Sequence, residues 1–578
     1  MRQVPGPERR ARNREAGLDP RPLAHARATD ASFGRVSAAA RPETPPSGRA
    51  TSDDSACPAR TITRRLAVFV LALAATACAP AGPPGITIVN VRVIDGTGAP
   101  ATPGAVRLIG DTVVAVGADV TPARGDSIVD GGGLVLAPGF IDTHSHHASG
   151  LGESPDARAA ASQGITTVVG GQDGSHPMPL AKTLAALERS GTVLNAAFYA
   201  GHGTIRDSVL GRDFRRRATA AEVEAMGRLL RQELDAGALG LSTGLEYDPG
   251  IYSDRAEVLA LAKVAAAAGT RYISHIRSED RWFWDAVDEV LAIGREAKLP
   301  VQIGHVKLAM IPLWGQADSL LRVLDRARAE GIDVTADVYP YPYWQSTLTV
   351  LFPKRDFGNQ GEAEHVLRDI ARPEGLLLGD YLPEPSYAGR TVAEVAAMRK
   401  EPPAVTLMTL IRDAQRMRAE RERTGKTEGR VESVVATSMD EGDIARLLAW
   451  PHANVCSDGA LDGAHPRGYG AFPRVLARYV RERRVLPLEE AIRKMTSLAA
   501  AHVGIPQRGT IAPGRFADLV LFDPATVADE ATTQDPHRIS TGIARVWVNG
   551  REVWRDGAPT GARPGRVIRR PGTPADGG

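Results

Sequence analysis

The chain reads GFIDTHSHH from Gly139 to His147, where an apolar run delivers two histidines, His144 and His146, separated by one residue. On a β-strand, residues i and i+2 point to the same face. Both imidazoles can therefore reach one metal ion, and imidazole is a good ligand for zinc and its first-row neighbours. Because an isolated pair of this kind recurs by chance, its meaning depends on whether the rest of the chain supplies the missing ligands.

The region after this stretch alternates short apolar segments with helical ones. Helical patterns, for example at 220–235 and 254–268, separate most of the strand-like segments. This alternation predicts an α/β fold of the (β/α)₈ barrel type. The eight candidate strands are residues 140–146, 165–171, 194–201, 238–245, 271–276, 301–306, 333–340 and 453–459.

The two ends of this region have a different texture, with short alternating strands and Gly or Asp turns. Residues 86–138 and 506–560 both show it, and Asn549-Gly550 is a strong hairpin turn. We therefore expect one small β-sandwich built from both chain ends. The barrel then occupies 139–344 and 441–505, and residues 345–440 form an inserted subdomain.

The N-terminal region resembles a targeting segment. Residues 1–60 are rich in Arg, Pro, Ala and Ser without an apolar period, which predicts disorder. Residues 61–85 combine arginines, a short apolar run and small residues ending at Cys78, which predicts an export signal with a lipid anchor on that cysteine. The alternatives are ordinary cleavage without a lipid, or a cytoplasmic protein if the signal is not used. Residues 561–578 are predicted to be a disordered tail.

Charge and cysteine content exclude several classes of protein. The net charge of +2 is dominated by residues 1–65, which hold thirteen arginines and seven acidic residues. The remainder has 57 basic and 61 acidic residues, so a nucleic-acid partner is not expected. Beyond Cys78 only Cys456 remains, so stability must come from the apolar core rather than from disulfides. The sequence carries no signal for an oligomeric state.

Further metal-ligand residues fall at the ends of the predicted barrel strands, where barrels place their chemistry. The second strand ends in Asp173, the fifth in His275, the sixth in His305 and the eighth in Asp458. Four imidazoles and one or two carboxylates at one face predict a mononuclear or binuclear metal site.

Eight sequence stretches show a family resemblance, in order, between about residue 86 and residue 550. The chain resembles the amidohydrolase superfamily and, within it, the N-acyl-D-amino-acid deacylases, or D-aminoacylases. The stretches are PGFIDTHSHH, QGITTVV, GALGLSTGLEYDPG, SHIRSED, DVYPY, SDGALDGAHPRGYGAFPRVL, EEAIRKMTSLAAAHVGI and GTIAPGRFADLVLFDP.

The resemblance implies a metal-ligand set. His144 and His146 would bind a first ion together with Asp458, and His275 and His305 a second. The family commonly has a bridging cysteine on the second strand, where this chain has Asp173. Asp173 is therefore expected to bridge as a carboxylate, or else to accept a hydrogen bond from a ligand. The expected cofactor is zinc, one or two ions, or another divalent first-row metal.

The resemblance also implies the catalytic and substrate-binding residues. Metal-activated water would attack an amide carbonyl, and Asp458 would act first as general base and then as general acid. The small-molecule substrate carries a carboxylate, which calls for cationic or hydrogen-bonding partners. Lys307 and Tyr339 are the expected partners, with Ser346 as an addition. Arg277 is expected there as well, or alternatively as a salt-bridged arginine on the barrel rim.

The predicted function is hydrolysis of N-acyl-D-amino acids or of dipeptides with a C-terminal D-residue. Cyclic amidases of the hydantoinase or dihydroorotase type usually bridge their metals with a carboxylated lysine on the fourth strand. Here that strand reads GALGLSTGL, without lysine. The sequence also leaves open an isoaspartyl-dipeptidase-like activity and, remotely, a non-catalytic binding role.

Overall fold

The structure is a computed structural model that describes residues 83–152, 156–426 and 429–573. The predicted disordered segment, the export signal and Cys78 lie outside the described residues. Within the described part of the chain, no helix is long and apolar enough to cross a membrane.

The described residues form twenty-one strands and fourteen α-helices. The strands are β1 (Ile86–Val93), β2 (Thr102–Ile109), β3 (Thr112–Gly117), β4 (Ser127–Asp130), β5 (Val135–Pro138), β6 (Phe140–Asp142), β7 (Ile165–Gly170), β8 (Asn195–Phe198), β9 (Ala200–Gly201), β10 (Gly240–Gly244), β11 (Arg271–His275), β12 (Val301–Ile303), β13 (Val334–Val338), β14 (Tyr343–Ser346), β15 (Leu376–Tyr381), β16 (Glu432–Thr437), β17 (Ala453–Val455), β18 (Leu519–Phe522), β19 (Ile543–Val548), β20 (Arg551–Arg555) and β21 (Ala558–Pro559).

The helices follow most of the barrel strands. They are α1 (Arg158–Ala161), α2 (Leu180–Ser190), α3 (His202–Leu210), α4 (Ala220–Asp235), α5 (Arg255–Ala267), α6 (Phe283–Ala297), α7 (Ala317–Ala329), α8 (Gln360–His365), α9 (Val392–Arg399), α10 (Pro403–Arg423), α11 (Glu441–Ala449), α12 (Arg467–Arg474), α13 (Leu488–Met495) and α14 (Ser497–Val503). Some begin at a side-chain cap; Thr219, for example, forms a capping box with Glu222 at the start of α4.

Parallel strands supply all eight predicted barrel positions. One sheet has the order β17-β13-β12-β11-β10-β9 and another the order β6-β7-β8, while β8 and β9 are two pieces of the same strand position on either side of Tyr199. Backbone hydrogen bonds from Asp458 N to His144 O and from His146 N to Gly459 O, both 2.9 Å, link the first position to the eighth. The strands are almost fully buried, as expected for a sheet covered by helices.

Strands from both chain ends form one nine-stranded sheet, in which β5 pairs antiparallel with β18. Val113 N donates to Arg515 O at 2.9 Å, so the β3 edge returns to the segment that leads into β18. Alternate residues of β18 pack into two different apolar cores, that of the β-domain and that of the barrel. Leu519 and Leu521 pack inside the β-domain, whereas Val520 and Phe522 pack against the barrel.

The insertion forms a separate layer beside the barrel mouth. Strands β14, β16 and β15 make an antiparallel sheet that packs, with the flanking helices, around its own apolar cluster. Trp344 packs against both this cluster and the barrel core. The subdomain therefore starts at Tyr343, two residues before the predicted boundary.

The C-terminal segment corrects one sequence prediction. Residues 561–573, expected to be disordered, run as a strap along the barrel. Gly565 N donates to Thr192 O, and Ile568 N donates to Ala196 O, both at 2.7 Å. Ala562 and Val567 also pack against the barrel core, and Ile568 packs against a second apolar cluster. Backbone hydrogen bonds and these contacts together hold the segment in place.

Candidate metal centre and its cavity

The predicted ligands lie just beyond the ends of the barrel strands. Strand β6 ends at Asp142, so His144 and His146 stand on the following loop rather than on an extended strand. Their backbone is held by neighbouring strand ends, since His146 N donates to Gly459 O. Three other candidate ligands have left-handed backbone conformations, namely Asp173 (φ 54°), His305 (φ 34°) and Asp458 (φ 49°). Such conformations are uncommon outside glycine and concentrate at functional sites.

One group of ligand atoms comes from the first, second and eighth strand positions. Asp173 Oδ1 lies 3.2 Å from His144 Nε2, and Asp173 Oδ2 lies 3.4 Å from His146 Nε2. Asp458 Oδ1 lies 3.2 Å from His146 Nε2 and 3.8 Å from His144 Nε2. These four side chains converge on one point.

A second group shares the same carboxylate. Asp173 Oδ1 lies 3.3 Å from His305 Nε2 and 4.0 Å from His275 Nδ1. These two imidazole nitrogens are 3.0 Å apart. The Asp173 carboxylate thus stands between two pairs of histidines, with its two oxygens in different surroundings.

The arrangement fits divalent metal binding. Two donors each about 2.1 Å from one ion at a tetrahedral angle lie roughly 3.4 Å apart, which matches the spacings of both groups. Both ring nitrogens of His144 are buried, and neither makes a hydrogen bond with a described residue. A buried polar atom without a partner is costly unless a ligand satisfies it. The six ligands are nitrogen and oxygen donors, and the buried Cys456 contacts Asp337 instead.

Asp458 is held by an arginine that opens α12. Arg467 Nη1 lies 2.6 Å from Asp458 Oδ2, which leaves Oδ1 facing the histidines. Burial opposes ionisation of Asp458, but Arg467 and the imidazoles outweigh it and hold the pKa of this carboxyl well below its usual value. Burial likewise opposes ionisation of Asp173, while His144 and His305 lower its pKa well below the usual value.

The ligand cluster lies at the base of a cavity of about 830 Å³. The insertion supplies much of the wall beyond the metal ligands, including Ser346 and Arg430. Lys307 and Arg467 bring positive charge to the base. The apolar part of the wall includes Phe214, Trp344, Val350, Leu351 and Ile370. The cavity therefore combines cationic groups that contact the candidate metal ligands with apolar wall residues from other segments.

Comparison with known proteins identifies the family. The sequence model of the protein family described as "Amidohydrolase family" matches residues 127–370 and 385–554 of this chain. The chain belongs to the amidohydrolase family.

Individual relatives narrow this placement within the amidohydrolases. The chain is 38% identical to the N-acyl-D-glutamate deacylase of Alcaligenes xylosoxydans xylosoxydans over 83% of its length and 95% of that protein. It is 35% identical to the D-aminoacylase of the same organism, over 83% of this chain and 96% of that one. The amidohydrolase therefore belongs with the N-acyl-D-amino-acid deacylases, which confirms the resemblance seen in the sequence.

A solved structure supports the same placement. It is an N-acyl-D-glutamate deacylase from Bordetella bronchiseptica, complexed with zinc and a phosphonate inhibitor that mimics the reaction's tetrahedral intermediate. It matches with a TM-score of 0.73 and 35% identity, covering 84% of this chain and 99% of that one. The predicted barrel with a β-domain is thereby confirmed for this amidohydrolase.

One of the predicted substrate residues, Arg277, does not line the cavity of this amidohydrolase. Arg277 makes a two-pronged ion pair with Glu289, at 2.7 and 2.8 Å, and donates to Ser253 O. It lines a shallow groove outside the cavity, so the structure supports the alternative of a salt-bridged rim arginine. Tyr339 is buried, with the Arg467 guanidinium carbon 4.8 Å from the centre of its ring. Its hydroxyl makes no hydrogen bond with a described residue.

Three residues that the sequence interpretation did not single out belong to the site. Arg467 binds Asp458, Glu246 Oε2 lies 3.2 Å from His275 Nε2, and Glu279 Oε1 lies 3.0 Å from His305 Nδ1. All three lie within the family-like stretches, in the long run around Asp458, in GLEYDPG and in SHIRSED respectively. Lys307 is in the predicted place, but its ammonium is bound to Glu279 at 2.6 Å.

Proposed function

We propose that this protein is a zinc-dependent deacylase that hydrolyses N-acyl-D-amino acids, or dipeptides with a C-terminal D-residue. The observation that carries the proposal is the Asp173 carboxylate, shared by two pairs of histidines beneath a cavity with cationic residues at its base. The deacylase relatives support the choice of substrate, since nearly their whole length is matched by this chain.

The metal would be held by the six predicted ligands. His144, His146 and Asp458 would hold one ion, His275 and His305 would hold the other, and Asp173 lies within reach of both. Bound zinc supplies Lewis-acid polarisation of a carbonyl group and a nucleophile derived from water at neutral pH.

Asp458 is the group that moves protons. Its Oδ2 is bound by Arg467, so its Oδ1 is presented to the base of the cavity in the ionised form that a general base requires. Asp458 takes a proton from the attacking water and delivers it to the amide nitrogen as the C–N bond breaks. The products are a carboxylic acid and a free D-amino acid.

Substrate orientation follows from the polarity of the cavity. Lys307 and Arg467 have further N–H donors beyond those that face Glu279, His305 and Asp458, so they can bind the substrate carboxylate. The apolar wall accepts an acyl group or an apolar side chain. Ser346 lines the mouth of the cavity, where its hydroxyl can contact the substrate.

The competing activities have less support. A carboxylated lysine cannot bridge the metals from β10, because the strand reads Gly-Leu-Ser-Thr-Gly, without lysine. The carboxylate that lies between the two pairs of histidines is instead Asp173. A non-catalytic binding role does not explain why the metal donors and the proton-transfer carboxylate Asp458 are all retained.

A hydrolysis screen tests the proposal. The purified protein, supplied with zinc, is assayed on N-acetyl-D- and N-acetyl-L-amino acids, L-Xaa-D-Xaa dipeptides, isoaspartyl dipeptides and hydantoins. We expect release of D-amino acids from the first and third classes. Hydrolysis confined to L-substrates, isoaspartyl dipeptides or cyclic amides would overturn the assignment.

We also propose that the protein is exported and carries a lipid on Cys78. The order of arginines, apolar run and small residues before that cysteine supports this. Expression in a bacterial host with fractionation should place the wild-type protein in the membrane and C78S in the soluble periplasm. Wild-type protein in the periplasm would indicate cleavage without a lipid, and wild-type protein in the cytoplasm would refute export.

A further inference from the structure

The two histidines of the second group present opposite ring nitrogens to Asp173. His275 faces it with Nδ1, at 4.0 Å, whereas His305 faces it with Nε2, at 3.3 Å. The nitrogen of each ring that points away from Asp173 lies near a glutamate, and His305 Nδ1 also lies 2.7 Å from Lys307 Nζ. His275 Nε2 lies 3.2 Å from Glu246 Oε2, and His305 Nδ1 lies 3.0 Å from Glu279 Oε1.

Both glutamates are fixed by further contacts. Glu246 Oε1 accepts a hydrogen bond of 2.7 Å from the backbone N–H of Glu279. Glu279 Oε1 accepts one of 2.6 Å from Lys307 Nζ, and the Glu279 side chain is buried. The two carboxylates therefore form one connected support behind the His275 and His305 rings.

A neutral imidazole has one N–H and one lone pair, and a carboxylate hydrogen-bonded to one nitrogen places the proton there. We propose that Glu246 and Glu279 are positioning residues for the second metal place. Glu246 holds the N–H at Nε2 of His275, so that the lone pair at Nδ1 points towards Asp173. Glu279 binds the Lys307 ammonium, whose Nζ lies 2.7 Å from His305 Nδ1, and so fixes the orientation of the His305 ring. This inference rests on the proposed metal site and assigns no contact with the substrate to either glutamate.

In the first group, His144 does not share this support. His144 Nδ1 makes no hydrogen bond with a described residue, and its nearest carboxylate oxygen, Asp337 Oδ1, is 3.6 Å away. Removing Glu246 or Glu279 should therefore weaken the ion at His275 and His305 selectively.

Zinc affinity of the purified, metal-stripped protein tests the inference. Affinity is measured by chelator competition, stoichiometry by plasma mass spectrometry, and ligand geometry by the visible spectrum of the cobalt form. E246Q leaves one oxygen to serve both His275 and the Glu279 backbone N–H, and E279Q offers a weaker, uncharged acceptor. We expect each variant to weaken one of the bound ions about 10- to 100-fold and to change the cobalt spectrum.

The matched control is E233Q. Glu233 is a buried glutamate whose Oε2 lies 3.4 Å from His176 Nε2, outside the cavity. We expect E233Q to keep zinc affinity within about twofold of wild type, and thermal melting of the metal-free proteins separates loss of folding from loss of affinity. Wild-type affinity in both E246Q and E279Q, or an equal loss in E233Q, would overturn the inference alone. Failure of the wild-type protein to bind zinc would overturn the proposed function as well.

Discussion

The two ends of the barrel differ in whether their buried polar groups are hydrogen-bonded to one another. At the lower end, where β8 begins, Asn549 Nδ2 donates to Asn195 Oδ1 at 2.8 Å, and Asn549 N donates to Asp518 Oδ1 at 2.8 Å. Arg508 binds both Asp518 and Asn549. At the upper end, by contrast, the His144 nitrogens have no hydrogen-bond partner among the described residues, and three ligands have left-handed backbones.

This contrast separates stability from function. At the lower end, the polar groups use their hydrogen-bonding capacity on one another, so none remains for a ligand. This network also joins the barrel to the β-domain. At the upper end, imidazole nitrogens and carboxylate oxygens face one another without forming a complete set of hydrogen bonds. Their lone pairs therefore remain available to a metal ion. Changes at the upper end should therefore affect metal binding and rate, while changes at the lower end should affect the free energy of unfolding.

The largest expected effect is on rate, at the upper end. Asp458→Asn removes the proton acceptor but keeps the size of the side chain. We expect kcat to fall by about 10³-fold, within the range for general acid–base groups. Steady-state hydrolysis of the best substrate measures this, and wild-type kcat in the variant would contradict the assigned role.

The next largest effect is on stability, at the lower end. Asp518→Ala leaves the buried Arg508 guanidinium without its carboxylate, at an expected cost of about 3–5 kcal/mol in the free energy of unfolding. Denaturant unfolding measures it, with Asp518→Asn as a milder control that keeps hydrogen-bonding atoms. The kcat of the folded fraction should match wild type, and a loss of kcat without a loss of stability would remove the distinction between the two ends.

Metal removal tests the same contrast without a mutation. Because the upper end has groups that an ion would satisfy, zinc at a hundredfold excess over its dissociation constant should stabilise the protein by about 2.7 kcal/mol. Thermal melting with and without chelator measures the shift, and activity should return when zinc is added back. An unchanged melting temperature with full activity in chelator would show that no ion is needed.

The smallest expected effects distinguish two basic residues near the upper end. Lys307→Met removes a cation at the base of the cavity and should raise KM about tenfold, the consequence of losing one charged hydrogen bond. Arg277→Met should change KM by less than about twofold, because Arg277 is bound to Glu289 outside the cavity. A KM increase in Arg277→Met equal to that in Lys307→Met would restore Arg277 to the substrate site.

Residues that follow strands were predictable from the sequence. A barrel brings the carboxyl ends of its strands together, so the strand pattern alone was enough to group His144, His146, Asp173, His275 and the remaining ligands. The register within each loop was not predictable. His144 and His146 follow a strand of only three residues, so their convergence depends on backbone bonds to neighbouring loops rather than on strand alternation.

The carboxylates on the loops and the C-terminal strap could not be predicted from the sequence, for a different reason. Glu246 and Glu279 follow neighbouring strands, but no local pattern distinguishes an acid that faces a histidine from one that faces water. Arg277 shows the converse, since it follows His275 by two residues yet points away because β11 has already ended. The strap from residue 561 has no apolar period to reveal its backbone pairing.

The pairing of β5 with β18 also constrains the order in which the chain can fold. The strand at residues 135–138 is synthesised long before its partner at 519–522, so its edge stays open while the whole barrel is being made. Open strand edges promote aggregation, and pairings of high sequence separation form slowly. The strand β18 thus completes a sheet that the strands before the barrel begin, and β5 lacks this neighbour until residue 522 has been synthesised.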